Sequence, residues 1–171
     1  MDALVAYLPP AKGYLPYYML GLSILAIGNS LQSYLTLHYS RRLYNGQFVL
    51  NPTPSGTANP EDSTQKFLPA SATSNPKGAR TQDQVTPLAA RLFGTYTLIS
   101  AIVRIYACYN LHLAPVYNIA LWTYIVALVH FGSEWAFYRT AYLSPPVLFP
   151  FFFASVGIVW MSSQYGFYVE A

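Results

Sequence analysis

Two ionisable side chains four residues apart, His130 and Glu134, lie inside the apolar run LWTYIVALVHFGSEWAFY at residues 121–138. On a helix that spacing puts both on one face, about a turn apart. An imidazole beside a carboxylate could move a proton, and with Ser133 the three residue types of a serine–histidine–carboxylate set are present. Ser133 and His130 are, however, i,i+3 neighbours on one helix, with no evident oxyanion hole. The three histidines, His38, His112 and His130, have no histidine at i,i+4 and no ligand cluster, so no metal centre is expected. There is no G-x-G-x-x-G, no P-loop, and no tyrosine followed four residues later by lysine. Catalytic residues and cofactors are therefore expected to be absent. An ionisable pair in such a run is costly, and marks a functional or assembly site by default.

The elements that must position this pair are membrane spans. The 171 residues are 54% hydrophobic and 9% charged, with mean hydropathy +0.29; a soluble domain would be about a quarter charged. A net charge of +3 without a basic run argues against nucleic acid. The single cysteine, Cys108, cannot form an internal disulfide. Four stretches, at about 14–37, 88–109, 116–138 and 146–165, are long enough to cross the roughly 30 Å of hydrocarbon as helices. Tyrosines and phenylalanines gather at their ends, as in an interfacial belt. The expected fold is all-α: a polytopic membrane protein, a four-transmembrane-helix bundle forming one domain. The first stretch exceeds a signal-peptide core and reads as a retained signal-anchor.

Between the first two stretches, residues 51–86 are rich in Pro, Ser, Thr, Asn and Gly, and almost bare of apolar residues apart from Phe67 and Leu68. Such a segment buries too little surface to offset its ordering entropy, which predicts a disordered loop. The other two connections are short and make their helices antiparallel neighbours. Arg41, Arg42, Lys66, Lys77, Arg80 and Arg139 fall on one side of a four-span chain and Lys12 on the other. The positive-inside rule then places the long loop in the cytosol and both termini across the membrane.

Depth brings the buried polar residues together. The second and third stretches form a hairpin turning near His112 and Leu113, so Arg91 and Glu134 lie at about one level, where a charge-assisted pair would hold both near hydrocarbon. The first stretch adds Asn29 and Gln32, and His130 lies a turn deeper than Glu134. The expected site is thus an interhelical polar cluster of Asn29, Gln32, Arg91, His130 and Glu134, serving as glue between helices or as a contact for a ligand or partner. Arg104, near the other end of its stretch, is expected to snorkel to the interface. His38 and His112 flank spans. Gly21 with Gly28, and Ala26 with Ser30, offer small residues for close helix approach.

Three blocks, AIGNSLQSYLTLHYSRRLYNG at 26–46, LAARLFGTYTLISAIVRIYACY at 88–109 and YNIALWTYIVALVHFGSEWAFYRTA at 117–141, carry a resemblance. Their GN-x-LQS, AR-x-FG-x-[WY]T and LWT…HF-x-SE elements, in that order, resemble the ergosterol biosynthetic protein twenty-eight family of small endoplasmic-reticulum membrane proteins. The likeness extends over all four stretches, with the specific motifs on the first three. It implies a non-enzymatic multi-pass scaffold of the endoplasmic-reticulum membrane that tethers the enzymes of sterol C-4 demethylation. These are the sterol C-4 methyl oxidase, the sterol-4α-carboxylate 3-dehydrogenase (decarboxylating) and the 3-keto sterol reductase; contact with membrane lipid and a homodimer are expected too. Residues 51–86 look like an insertion of a fungal variant, and the tail YGFYVEA has no basic extension. Two rivals remain. One is a sterol-binding or sterol-transfer protein, with a groove between the first three spans capped by His130 and Glu134. The other is a small membrane enzyme using that pair as acid and base.

Overall fold

A computed structural model describes residues 7–10, 12–51, 60–73 and 80–169. Four long helices lie over the four apolar runs: α1 (Leu15–Leu35), α3 (Pro87–Cys108), α4 (Ala114–Ala136) and α5 (Pro145–Ser163), with short α2 (His38–Leu43) after α1 and α6 (Tyr165–Tyr168) after α5. Each long helix has proline in its first turn, where the missing N–H costs nothing and the fixed φ suits a helix. Thr86 caps α3, its hydroxyl accepting from Ala89 N at 3.1 Å. The start of α1 is met from far along the chain: the Tyr168 hydroxyl lies 3.3 Å from Leu15 N.

Helix pairing follows the small residues. The most extensive packing is of α1 against α3, then of α4 against α5; the α3–α4 hairpin contact is smaller. Gly94 lets α1 and α3 approach until a Cβ there would meet Ser33 and Tyr34 at 3.1 Å, and Ser30 Oγ donates to Gly94 O at 2.7 Å. Gly157 does the same for α4 and α5, where an added Cβ would meet the Tyr124 ring at 2.8–3.0 Å. Of the small residues expected at a helix contact, Ser30 is buried in one, whereas Gly21 and Gly28 face open space.

Two cores occupy opposite ends of the bundle. One gathers Leu15, Met19, Cys108, Leu111, Tyr117, Tyr124, Met161 and Tyr168; the other is Leu43, Phe131, Ala141 and Val147, packed against Tyr39, Tyr44, Phe93 and Phe151. Large side chains such as Ile24, Leu31, Leu92, Ile99, Ile102, Trp122, Val129, Phe152 and Val159 point outward. A soluble fold would bury such faces; a lipid-facing one need not. By length and composition three helices suffice to cross a membrane: α3, α4 and α5, with mean hydropathies of 1.4, 1.4 and 1.6. Helix α1 has the length, but Asn29, Gln32 and its serines dilute its hydropathy.

The chain is mostly helical but not purely so. Phe48–Leu50 (β1) and Phe67–Pro69 (β2) pair antiparallel, with Val49 opposite Leu68, and Phe48 also bridges Gln82. The structureless loop expected over 51–86 thus does not describe residues 60–73 and 80–86, which include this strand and short 3-10 turns at Pro60–Asp62 and Ala70–Ala72. The reason lies in Phe67 and Leu68: two apolar residues suffice to form a strand once Phe48–Leu50 supply an edge. Arg41 Nε, 3.2 Å from Asp83, ties α2 to the segment entering α3. The disorder expected at 52–59 and 74–79 lies outside the described residues.

Candidate functional site

The structure sorts the expected polar residues into two places. The first lies where α2, α4 and the α4–α5 connection meet. The Tyr44 hydroxyl lies 2.6 Å from His130 Nε2, His130 Nδ1 lies 3.9 Å from Glu134, and the other Glu134 oxygen accepts from the Thr140 hydroxyl. At 3.9 Å the His130–Glu134 contact is electrostatic, too long for a hydrogen bond. Burial, with the Glu134 charge second, pushes the Tyr44 phenol well above its ordinary value, so it stays neutral. A Tyr44 that donates to Nε2 leaves the imidazole proton on Nδ1, facing the carboxylate.

Local backbone makes this arrangement possible. Three residues beyond the end of α4, Arg139 lies in the left-handed region at φ 56, a conformation in which glycine is usual. The turn brings Thr140 N and Ala141 N back to Glu134 O at 3.0 and 3.3 Å, so Glu134 is held through both backbone and side chain. Gly46 N donates to Thr140 O at 2.8 Å, and a Cβ on Gly46 would collide with the backbone of Arg139 and Thr140. Asn45 Oδ1 accepts from Tyr142 N at 2.8 Å. The Tyr44–Gly46 segment and the α4–α5 connection are therefore stitched together, with the Tyr44 ring edge-on to Phe93 and His130. Ser133 Oγ donates to His130 O at 2.8 Å, so it turns to its own helix rather than to the imidazole.

The second place is a half-open cavity of about 550 Å³ between α1, α3, α4 and α5, with α2 along one side. Asn29 and Gln32 line it, as do Tyr96, Arg104 and Tyr124. Tyr44, His130, Glu134 and Thr140 line a different cavity, also of about 550 Å³; Phe93 and Tyr96 line both and form the partition. Arg104 is the residue that sequence reasoning misplaced. It does not reach for the interface: Nε donates to Thr123 Oγ1 at 2.8 Å, one terminal nitrogen donates to Thr123 O at 3.2 Å, and the guanidinium lies over the Tyr124 ring at 4.0 Å. The usable signal was the Thr123–Tyr124 pair, near the level of Arg104 in the α3–α4 hairpin.

Of the five expected residues, then, the structure joins His130 to Glu134 and places Asn29 and Gln32 beyond the partition. Arg91 is exposed on the first turn-and-a-half of α3 and makes no ion pair among the described residues. The hairpin argument misjudged it because α3 turns its packed face mainly to α1, not to α4. No group of three or more His, Cys, Asp or Glu side chains able to hold a metal occurs among the described residues.

Fold and site together define a class: a mostly helical, multi-pass membrane protein whose internal polar groups join helices to one another. Residues 15–159 match the family model described as Erg28 like protein, and the chain belongs to that family. It is 56% identical over 173 residues, 99% of each chain, to ergosterol biosynthetic protein 28 of Gibberella zeae. The protein of the same name from Saccharomyces cerevisiae is 30% identical over 92% of this chain and 84% of its own length. The human homolog is 42% identical over 77 residues, 45% of this chain and 55% of its own. No solved structure matches.

Proposed function

We propose that this chain acts in ergosterol biosynthesis as a non-catalytic scaffold of the endoplasmic-reticulum membrane, holding together the enzymes of sterol C-4 demethylation. The observation that carries the pathway is the 56% identity, over 99% of both chains, to a relative named ergosterol biosynthetic protein 28. The tethered enzymes are the C-4 methyl oxidase, the 4α-carboxylate 3-dehydrogenase and the 3-keto reductase, which the motif resemblance implies. Helix α1 serves as a fourth span, the charged 41–86 side faces the cytosol, and the chain self-associates. Three features fit the reading. The outward apolar faces of α3, α4 and α5 offer lateral surface for helix packing in lipid. The His130 and Glu134 side chains are hydrogen-bonded to Tyr44 and Thr140, which ties α4 to the segments beside it. Tethering successive enzymes raises their effective concentration for one another and limits escape of intermediates.

Two measurements test it together. Affinity capture of the tagged chain from mild detergent, with mass spectrometry, recovers the three enzymes. A strain lacking the chain keeps each enzyme but accumulates 4-methyl or 4-carboxy sterols. A normal sterol profile in that strain defeats the proposal.

A further inference from the structure

We infer that the cavity between α1, α3, α4 and α5 is a binding site for one polycyclic lipid carrying a hydroxyl, the chemistry of a sterol. Two buried side-chain atoms that border it have no hydrogen-bond partner: Asn29 Oδ1 and the Tyr124 hydroxyl. Tyr124 as a whole is 1% exposed. Buried polar atoms are nearly always paired, and two orphans around one space call for an occupant that pairs with them. Much of the remaining wall is apolar and aromatic, with Phe93, Phe131 and Phe153 alongside prolines 146 and 150; Gln32, Arg42 and Ser100 border it too, as does Arg104, already held by Thr123. Water alone would serve the polar atoms but leave that wall wet; an occupant must satisfy both.

The donor and acceptor pattern selects the head. Asn29 Oδ1 needs a donor, while a tyrosine hydroxyl donates or accepts. A hydroxyl does both and serves either end of an amide, whereas a carboxylate offers nothing to Asn29 Oδ1. The walls select the body. Rings and prolines are stiff, and a rigid ligand entering a stiff cavity loses less conformational entropy than a flexible chain. A volume of about 550 Å³ falls in the usual range of about 300–1,000 Å³ for one small molecule. The site lies across the Phe93–Tyr96 partition from His130 and Glu134, and the cavity on that side borders a different unpaired atom, Ser40 Oγ of the short helix α2. This assignment does not rest on the scaffold role.

The test uses the purified full chain in detergent and a diazirine-bearing sterol with a free hydroxyl. Labelling is expected to saturate, to be competed by unlabelled ergosterol, and to map to α3 and α4 near Tyr96 and Tyr124. Ala127→Phe, which puts a ring into the cavity and removes none of the orphans, should cut it about tenfold. Tyr124→Phe keeps the ring and the fold and should cut it roughly fivefold, the worth of one hydrogen bond. The same probe with its hydroxyl methylated should label only at background, and a diazirine fatty acid should not compete. Non-saturable labelling, or equal labelling by the free and blocked probes, overturns the assignment even if Ala127→Phe fails to fold. Enzyme capture by the wild-type chain is unaffected by that outcome, so failure here and failure of the scaffold role read out separately.

Discussion

The two sides of the Phe93–Tyr96 partition solve the same problem in opposite ways. On one side Tyr44, His130, Glu134 and Thr140 form a chain in which each polar group meets the next, and the backbone of Gly46 and Thr140 closes it. On the other side Asn29 and Tyr124 each bury a polar atom with no partner, beside an Arg104 already engaged by Thr123. In a low-dielectric interior a completed set fixes structure, whereas an incomplete one costs stability until something completes it. The histidine–carboxylate pair, the most chemical-looking feature of the sequence, is thus the side already paired within the chain. The amide of Asn29 and the phenol of Tyr124, chemically quiet, form the side built to receive something.

Substitutions should separate these two sides by the sign of their effect on the stability of the purified chain. The largest loss is expected at the frame of the cavity: Gly157→Leu drives its side chain into the Tyr124 ring and should cost about 3 kcal/mol, read as a drop in thermal midpoint. Next is Glu134→Ala, which strands the Thr140 hydroxyl and loosens the α4–α5 turn; about 2 kcal/mol is expected, with faster proteolysis within residues 137–144. Tyr44→Phe removes one hydrogen bond to His130 and should cost about 1 kcal/mol in the same assay. Asn29→Leu, by contrast, removes an orphan rather than a partner. Its expected effect on the ligand-free chain is neutral to a gain of about 0.5 kcal/mol, with sterol labelling lowered. A loss above about 1 kcal/mol from Asn29→Leu would erase the distinction between the two sides.

Much of the helical frame was readable in advance because its causes are local. Apolar runs of helix-crossing length, with proline near each start, mark α1, α3, α4 and α5 within a few residues of the expected stretches. The β1–β2 pair was missed because Phe67–Pro69 is too short to declare itself without Phe48–Leu50 beside it. The adjacency of His130 and Glu134 was equally local, since i,i+4 spacing fixes it once the helix exists.

Everything that depended on which helix faces which was decided elsewhere. Arg91 and Glu134 share a depth yet do not meet, because Gly94 and Ser30 draw α3 onto α1. Arg104 turns inward because Thr123 and Tyr124 stand ready on α4. Asn29 lost its expected partners to a wall of aromatic rings. Hydropathy and spacing are properties of one helix and are written along the chain. The rotation of a helix about its own axis is set by close contacts between residues far apart in sequence, and only the packed bundle contains them.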